Sequence, residues 1–201
     1  MEKIKSAIEI ALEKVASLGE LTPEEKEKIK DEDKLQSLLS EFYQDKMSAE
    51  GLWQQLRKER KPYLLNKAQL NLIESVSLKS PTSEVRKRRN GILAIESLKD
   101  HKNTSVLESQ LNAIESLQQR AIKKEQEIFA QCKSKVERNP MLRIQKKQVQ
   151  TDQGTVIIQT QLSIDEAVEQ LPEWRQFLIE HEERVSREFF TLLDILKREI
   201  E

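Results

Sequence analysis

Apolar residues recur at helical spacing along most of this 201-residue chain. The first apolar stripe has spacings of 4, 3, 4 and 3 residues, which is the period of one face of an α-helix. It consists of Ile4, Ile8, Ala11, Val15 and Leu18. Gly19 follows the stripe, and a glycine in that position is typical of a helix C-terminus. The pattern therefore predicts an amphipathic helix at the start of the chain.

Capping residues and prolines mark where the next helices begin. Thr22-Pro23-Glu24-Glu25 combines an N-cap threonine, a proline at the first helical position and a glutamate three residues after the cap. This arrangement is a capping box. Ser48 opens a short helix, and Pro62 restarts the chain into the most apolar helical segment, residues 63–79.

Ser80-Pro81 interrupts the helical pattern and divides the chain into two predicted regions. Residues 1–79 are the helical N-terminal region. Residues 80–201 are predicted to form a long helical hairpin together with a β-hairpin and a C-terminal helix.

The second region contains an unusually long helix, preceded by a helix over 82–99. Ser105 and Glu108 have the spacing of a second capping box, and the helix they open extends to about residue 138, where Asn139-Pro140 ends it. At about 1.5 Å per residue it is roughly 50 Å long, which favours a long helical hairpin or a coiled coil. Its apolar stripe consists of Leu107, Leu111, Ile114, Ala121, Ile128 and Cys132, and it is interrupted by Gln118 and Glu125.

Residues 141–162 change character, because β-branched residues and glutamines replace the Lys/Glu pattern. Asp152-Gln153-Gly154 is typical of a three-residue hairpin loop, which predicts that Thr151 pairs with Thr155. The same register places Val149 opposite Ile157, Gln150 opposite Val156 and Ile144 opposite Leu162. A lone hairpin is marginally stable in water, so it needs cover from a helix or from another chain.

The end of the chain is again helical. Ser163 and Glu166 form a third capping box, and Pro172 restarts the chain into a final helix over about 172–200. The predicted fold class is therefore mainly α: a helical bundle or long helical hairpin with one β-hairpin, residues 141–162, and a C-terminal helix.

Composition narrows the class of protein further. The chain contains only 4 glycines and is 34% charged, whereas sandwiches, barrels and doubly wound sheets need many glycine-rich turns. Cys132 is the only cysteine, which excludes an internal disulfide and a cysteine-based zinc site. The N-terminus has no signal-peptide core, and the longest run without charge, residues 153–164, is too short to span a bilayer. We therefore expect a cytoplasmic protein that does not associate with a membrane.

Catalytic and cofactor motifs are largely missing from the sequence. Each glycine is isolated, so no glycine-rich phosphate loop exists. His181-Glu182-Glu183-Arg184-Val185 starts like a helical zinc motif, but Val185 occupies the place of the second histidine. We expect no enzymatic activity, no catalytic residues, no cofactor and no metal. His181 and Cys132 are instead interpreted as buried residues of the helical stripes.

The sharpest local charge signal is Arg86-Lys87-Arg88-Arg89. It belongs to a segment, residues 61–162, that carries 18 basic and 10 acidic side chains between two acidic ends. Four such cations are candidates for binding phosphate groups of a nucleic acid. The alternative is a solvated run, or an intramolecular partner for the acidic C-terminal segment. No aromatic residue lies between Tyr63 and Phe129, so any nucleic-acid binding would be directed at the backbone.

The opening segment also resembles a known group of sequences. Ile4-Lys5-Ser6-Ala7-Ile8-Glu9-Ile10-Ala11-Leu12-Glu13-Lys14, followed by Leu21-Thr22-Pro23-Glu24-Glu25, is similar to the start of a family of uncharacterised bacterial cytosolic proteins. The resemblance covers about the first 30 residues. It implies a bacterial cytosolic setting and assigns no activity and no site residues.

These observations favour a non-enzymatic protein–protein interaction or scaffold protein that associates with itself. The β-hairpin is the predicted interface, because its edges and one face have no assigned cover. Its candidate interface residues are Val149, Val156, Ile157 and Ile158. The alternative is a nucleic-acid- or ribosome-associated protein that uses residues 86–89.

Overall fold

A computed structural model describes residues 22–151 and 154–200 of the chain. Within these residues there are seven α-helices, one 3-10 turn and one antiparallel β-hairpin, which confirms the predicted fold class. The helix predicted at the start of the chain lies outside them. The elements are α1 (Pro23–Tyr43), α2 (Ala49–Glu59), α3 (Pro62–Glu74), α4 (Thr82–Glu96), α5 (Thr104–Arg138), the 3-10 turn (Pro140–Arg143), β1 (Ile144–Thr151), β2 (Gly154–Gln161), α6 (Ile164–Gln170) and α7 (Pro172–Arg198).

Most of the helix starts follow the capping signals. Thr22 and Ser163 each accept a hydrogen bond from the backbone of the third helical residue, whose glutamate in turn accepts from the cap's own N–H. Ser48 accepts a hydrogen bond from the Gly51 N–H at the start of α2. Pro62 and Pro172 occupy the first positions of α3 and α7, where a missing N–H removes no helical hydrogen bond.

The predicted capping box of the long helix is wrong. The cap of α5 is Asn103, and Ser105 already lies inside the helix. The Asn103 N–H donates to the buried Glu96 carboxylate at 2.6 Å, and Glu108 pairs with Arg89 at 2.9 Å instead of turning back to a cap. A tertiary contact therefore replaces the local one.

The larger hydrophobic core combines α1 to α4 with the first half of α5 and the second half of α7. This core contains residues from both sides of the predicted division between residues 79 and 80. The division itself stays a prediction about how the chain is organised. Gly91 lies buried in the middle of α4, where a Cβ atom would come within 3.0 Å of both Phe42 and Leu72. The close approach of α4 to these side chains explains why a glycine is accommodated inside a helix.

A smaller core lies where the second half of α5 meets α6 and the first half of α7. Its buried residues are Cys132, Val136, Ala167, Val168, Leu171 and Trp174. Contacts from Asn103–Glu199 at one end to Lys135–Glu173 at the other show that α5 and α7 run antiparallel. Between the two cores these helices leave a cleft of about 340 Å³, whose lining includes Ala121 and His181.

Gln118 interrupts the apolar stripe of α5 without being exposed. Its side-chain nitrogen donates to the backbone carbonyls of Leu78 and Ser80, at 3.1 and 2.5 Å. These bonds tie the segment between α3 and α4 to the long helix, so this polar residue has a structural role in the core.

The predicted hairpin exists, but its predicted register is wrong by one residue. Gly154 belongs to β2 and pairs with Thr151, so two residues rather than three connect the strands, and both lie outside the described part. The shorter connection moves each pairing by one position. Val149 therefore faces Val156, Gln148 faces Ile157 and Ile144 faces Gln161.

Candidate interaction surfaces

The hairpin projects from the helical body with little support from it. Its base is fixed by the Leu162 N–H, which donates to the Arg143 carbonyl, and by the Arg143 side chain, which donates to the Leu162 carbonyl, both at 2.8 Å. Beyond its own ladder, the contacts of the hairpin are chiefly with the 3-10 turn. All of the strand residues whose burial is described are exposed.

Two of the four candidate interface residues have a described exposure, and both of them are exposed apolar residues of the hairpin. Ile157 is 58% exposed and Ile158 is 48% exposed. Because successive strand residues point to opposite faces, Ile157 and Ile158 lie on opposite faces of the hairpin, and Ile144, 38% exposed, shares the face of Ile157. Val149 and Val156 are direct backbone partners in the ladder. The structure thus brings the four candidates together on three adjacent rungs of the hairpin.

The basic run 86–89 lies on α4, and every member is paired with a carboxylate of the same chain. Arg86 pairs with Glu115 at 2.7 Å, Arg88 with Glu84 and Arg89 with Glu108 at 2.9 Å, and Lys87 with Asp45. None of these carboxylates belongs to the acidic C-terminal segment, so the internal partners differ from those expected. Only the Arg86 side chain, 62% exposed, projects well into solvent.

A polar cluster that the sequence did not reveal joins α1 to the start of α3. The nearly buried Asp31 accepts hydrogen bonds from Lys61 at 2.5 Å and from the Tyr63 hydroxyl at 2.6 Å, and Lys61 also donates to Glu27 at 2.7 Å. The only sequence signal was an aspartate within the helical stripe that includes Leu35, and its partners lie 30 and 32 residues away.

The protonation states in this cluster make it a structural link rather than an acid–base site. The hydrogen bonds from Lys61 and Tyr63 hold the pKa of Asp31 below its usual value. The hydrogen bond to Asp31, helped by burial, raises the pKa of Tyr63 to about 12, and the pKa of Lys61 is raised mainly by its hydrogen bond to Asp31. A phenol that holds its proton and an ammonium that holds its charge cannot act as bases near neutral pH.

The stability of the protein should fall at both extremes of pH because of this cluster. The contribution of Asp31, whose pKa is lowered on folding, is complete above about pH 4 and is lost on acidification. That of Tyr63, whose pKa is raised, is complete below about pH 10 and is lost as the pH rises toward 12. Thermal unfolding as a function of pH should show that Asp31→Asn weakens both dependences. Tyr63→Phe should weaken the alkaline one more than the acid one, because Lys61 still donates to Asp31 in that variant.

Tyr43→Phe is the matched control for this experiment. Tyr43 and Tyr63 are both 37% exposed, but the Tyr43 hydroxyl donates to the backbone carbonyl of Asn71 instead of to a carboxylate. If Tyr43→Phe and Tyr63→Phe change the loss of stability at alkaline pH equally, this cluster is not the cause of that loss.

His181 and Cys132 are packed in the interior, as the helical pattern indicates. His181 stacks on Phe177 with ring centroids 5.0 Å apart, and its Nε2 lies 3.2 Å from the Ala121 carbonyl, to which it can donate. Burial raises the pKa of the Cys132 thiol, which keeps it protonated and unreactive. Over residues 22–151 and 154–200, no three His, Cys, Asp or Glu side chains are placed to hold a metal ion together.

Two further findings bear on function. None of the helices in the described part is long and apolar enough to cross a membrane. No family model matches the chain, and no curated protein or solved structure shows significant similarity to it. The function must therefore be argued from the chain's own surfaces.

Proposed function

We propose that this chain is a non-enzymatic interaction or scaffold protein that self-associates and uses the β-hairpin as its binding arm. The observation that carries the proposal is the hairpin itself, which exposes Ile157 and Ile158 on opposite faces and packs on none of the helices between residues 22 and 200 to a substantial extent. An isolated two-stranded hairpin is marginally stable in water, so a partner that covers it also stabilises it.

The long helix supports self-association less well than the hairpin does. Along most of its length α5 already packs against α7 of the same chain, at the larger core and again at the smaller one. A coiled coil between two copies of α5 would have to form on its other face, where Lys123, Lys124 and Glu127 are exposed. We therefore place the interface on the hairpin.

The basic run 86–89 gives weaker support to the alternative, a nucleic-acid- or ribosome-associated protein. Three of the four side chains are less than a quarter exposed, and a phosphate would have to compete with a carboxylate for each cation. Such binding would fall steeply with salt, by about 0.9 log units per contact for each log unit of salt on duplex DNA.

Replacing Ile157 with lysine should abolish self-association and leave the helical circular dichroism nearly unchanged. The lysine puts a charge into the centre of the proposed interface, while its site makes little contact with the helical body. Sedimentation equilibrium over the micromolar range measures the mass. The matched control is Ile179→Lys, because Ile179 is an isoleucine on α7 with a similar exposure of 56%.

The proposal fails if the Ile157 variant instead loses melting temperature sharply in a protein that is monomeric throughout. In that case the hairpin would belong to the folded core. It also fails if Ile157→Lys and Ile179→Lys change the mass equally.

A further inference from the structure

We infer that the outer edge of β2 is the pairing edge of the hairpin and that its partner is β2 of a second copy of this chain. The two hairpins would form one four-stranded antiparallel sheet in the order β1-β2-β2-β1. This inference rests on the proposed function and specifies the edge, the partner and the geometry.

The hydrogen-bond pattern of the ladder shows which backbone groups face outward. The Leu162 N–H donates to the Arg143 carbonyl, so these two residues form a hydrogen-bonded pair next to the first rung, Ile144 with Gln161. Hydrogen-bonded and non-hydrogen-bonded pairs alternate along an antiparallel ladder. The N–H and C=O groups of the non-hydrogen-bonded pairs therefore point away from the partner strand. On β2 these residues are Thr155, Ile157, Gln159 and Gln161, and on β1 they are Ile144, Lys146, Gln148 and Gln150.

The two edges differ in how well they are protected against pairing. Natural proteins block an exposed edge with charged residues, lysine above all, or with proline. Strand β1 carries Lys146 and Lys147, whereas β2, with the sequence Gly-Thr-Val-Ile-Ile-Gln-Thr-Gln, has no charge and no proline. A segment of this kind, with high β propensity and no charge, is typical of strands that pair with identical copies. Within the described part of the chain no strand pairs with the outer edge of β2, and this edge is therefore the one that can accept a strand.

A second copy fits this edge for reasons of charge and symmetry. Two β2 strands meet without like-charge repulsion, and the lysines of β1 lie at the far edges of the combined sheet. Outward-facing residues can hydrogen-bond only with outward-facing residues, so the two-fold axis passes beside Ile157 or Ile158, at the middle of the strand. The exposed isoleucines of both copies then come together, and β-branched pairs stabilise a sheet.

The predicted interface is small, and it joins two copies without allowing further copies to add. An eight-residue strand is about 27 Å long at 3.4 Å per residue, so the interface lies at the low end of the range for specific complexes. We therefore expect a dissociation constant in the micromolar range. The lysine-bearing edges of β1 limit the growth of the sheet, so the product is a dimer and not a filament.

Proline substitutions on one rung of the ladder test the two edges separately. Gln159 and Lys146 are partners in a non-hydrogen-bonded pair, so neither N–H is used within the hairpin. Gln159→Pro removes a donor from the β2 edge, and Lys146→Pro removes the equivalent donor from the β1 edge. Sedimentation of the wild type and of Lys146→Pro should give a mass that rises toward twice the chain mass of 23.5 kDa as the concentration increases through the micromolar range. Gln159→Pro should raise the dissociation constant by about tenfold or more.

A second variant tests the same edge of β2 without introducing a proline, which could prevent the hairpin from folding. Gln159→Lys keeps the backbone donor but places like charges on the two β2 edges, and it should also weaken the dimer. Amide NMR shifts of the ladder residues report whether the hairpin survives in each variant.

The possible results separate this inference from the proposed function. A dimer broken by Lys146→Pro but not by the two Gln159 variants overturns β2 pairing and leaves the hairpin as the arm. A protein that is monomeric at all micromolar concentrations overturns both this inference and the proposed self-association. The hairpin could then be a binding arm only for a different protein. A dimer that none of these variants nor Ile157→Lys affects overturns both.

Discussion

Replacing Phe42 with alanine should lower the free energy of unfolding by about 3–5 kcal/mol. Phe42 is fully buried where α1 meets α4, and its ring tip faces the space above Gly91. Truncation removes buried apolar surface and leaves a cavity, because α4 cannot close in further without moving Leu72. Since a domain of this kind is stable by only about 5–15 kcal/mol, urea denaturation should show a large shift of the midpoint.

Phe190→Ala is the matched control for this substitution. Phe190 is 61% exposed on α7, so its loss should change the free energy of unfolding by no more than about 0.5 kcal/mol. Gly91→Ala supplies a second check, because its Cβ atom would crowd the Phe42 ring in the wild type. Combined with Phe42→Ala, it should recover part of the lost stability, and additive effects would contradict this packing.

Replacing Glu96 with alanine should lower the free energy of unfolding by about 3 kcal/mol, because several polar groups are paired with this buried carboxylate. Glu96 is 2% exposed and accepts hydrogen bonds from the Gln69 side chain at 2.9 Å and from the Asn103 N–H at 2.6 Å. Burial lowers the pKa of the neighbouring Lys99, which would lose its nearest carboxylate. The substitution therefore leaves the cap of α5 unpaired as well as a partly buried ammonium.

Glu188→Ala distinguishes this effect from the loss of any glutamate ion pair. Glu188 pairs with Arg120 at 2.8 Å on the surface, and exposed pairs of this kind contribute about 0–1 kcal/mol. Thermal or chemical unfolding of the two variants should therefore differ by about 2 kcal/mol or more. Equal losses would mean that Glu96 is no more important than a surface carboxylate.

Local signals in the sequence were sufficient to predict the helices of the described residues and the existence of the hairpin. Thr22, Ser48, Pro62, Ser163 and Pro172 act through neighbours within a few residues, and such interactions can be recognised from spacing alone. The same reasoning failed at the start of α5, where Glu96 reaches Asn103 from another helix. The hairpin register depended on one connecting residue, and a shift of one residue changes every pair in the ladder.

The candidate surfaces were predictable to different degrees. The change in composition after Pro140 was enough to locate the hairpin and name Ile157 and Ile158. The partners of Arg86, Lys87 and Arg89 were not predictable, because Asp45, Glu108 and Glu115 are brought to α4 only by tertiary packing. The link between Asp31 and Tyr63 was missed for the same reason, since it joins residues 32 positions apart.

The cleft between the two cores implies that the molecule opens in stages. The smaller core has 6 buried apolar residues in the described part and the larger has 23, so the smaller should open locally at a lower free energy. Amide hydrogen exchange would then show the end of α5, α6 and the start of α7 exchanging together, ahead of α1 to α4. Because the hairpin is attached to this less protected unit, a partner that binds the hairpin would slow exchange well beyond the strands it touches.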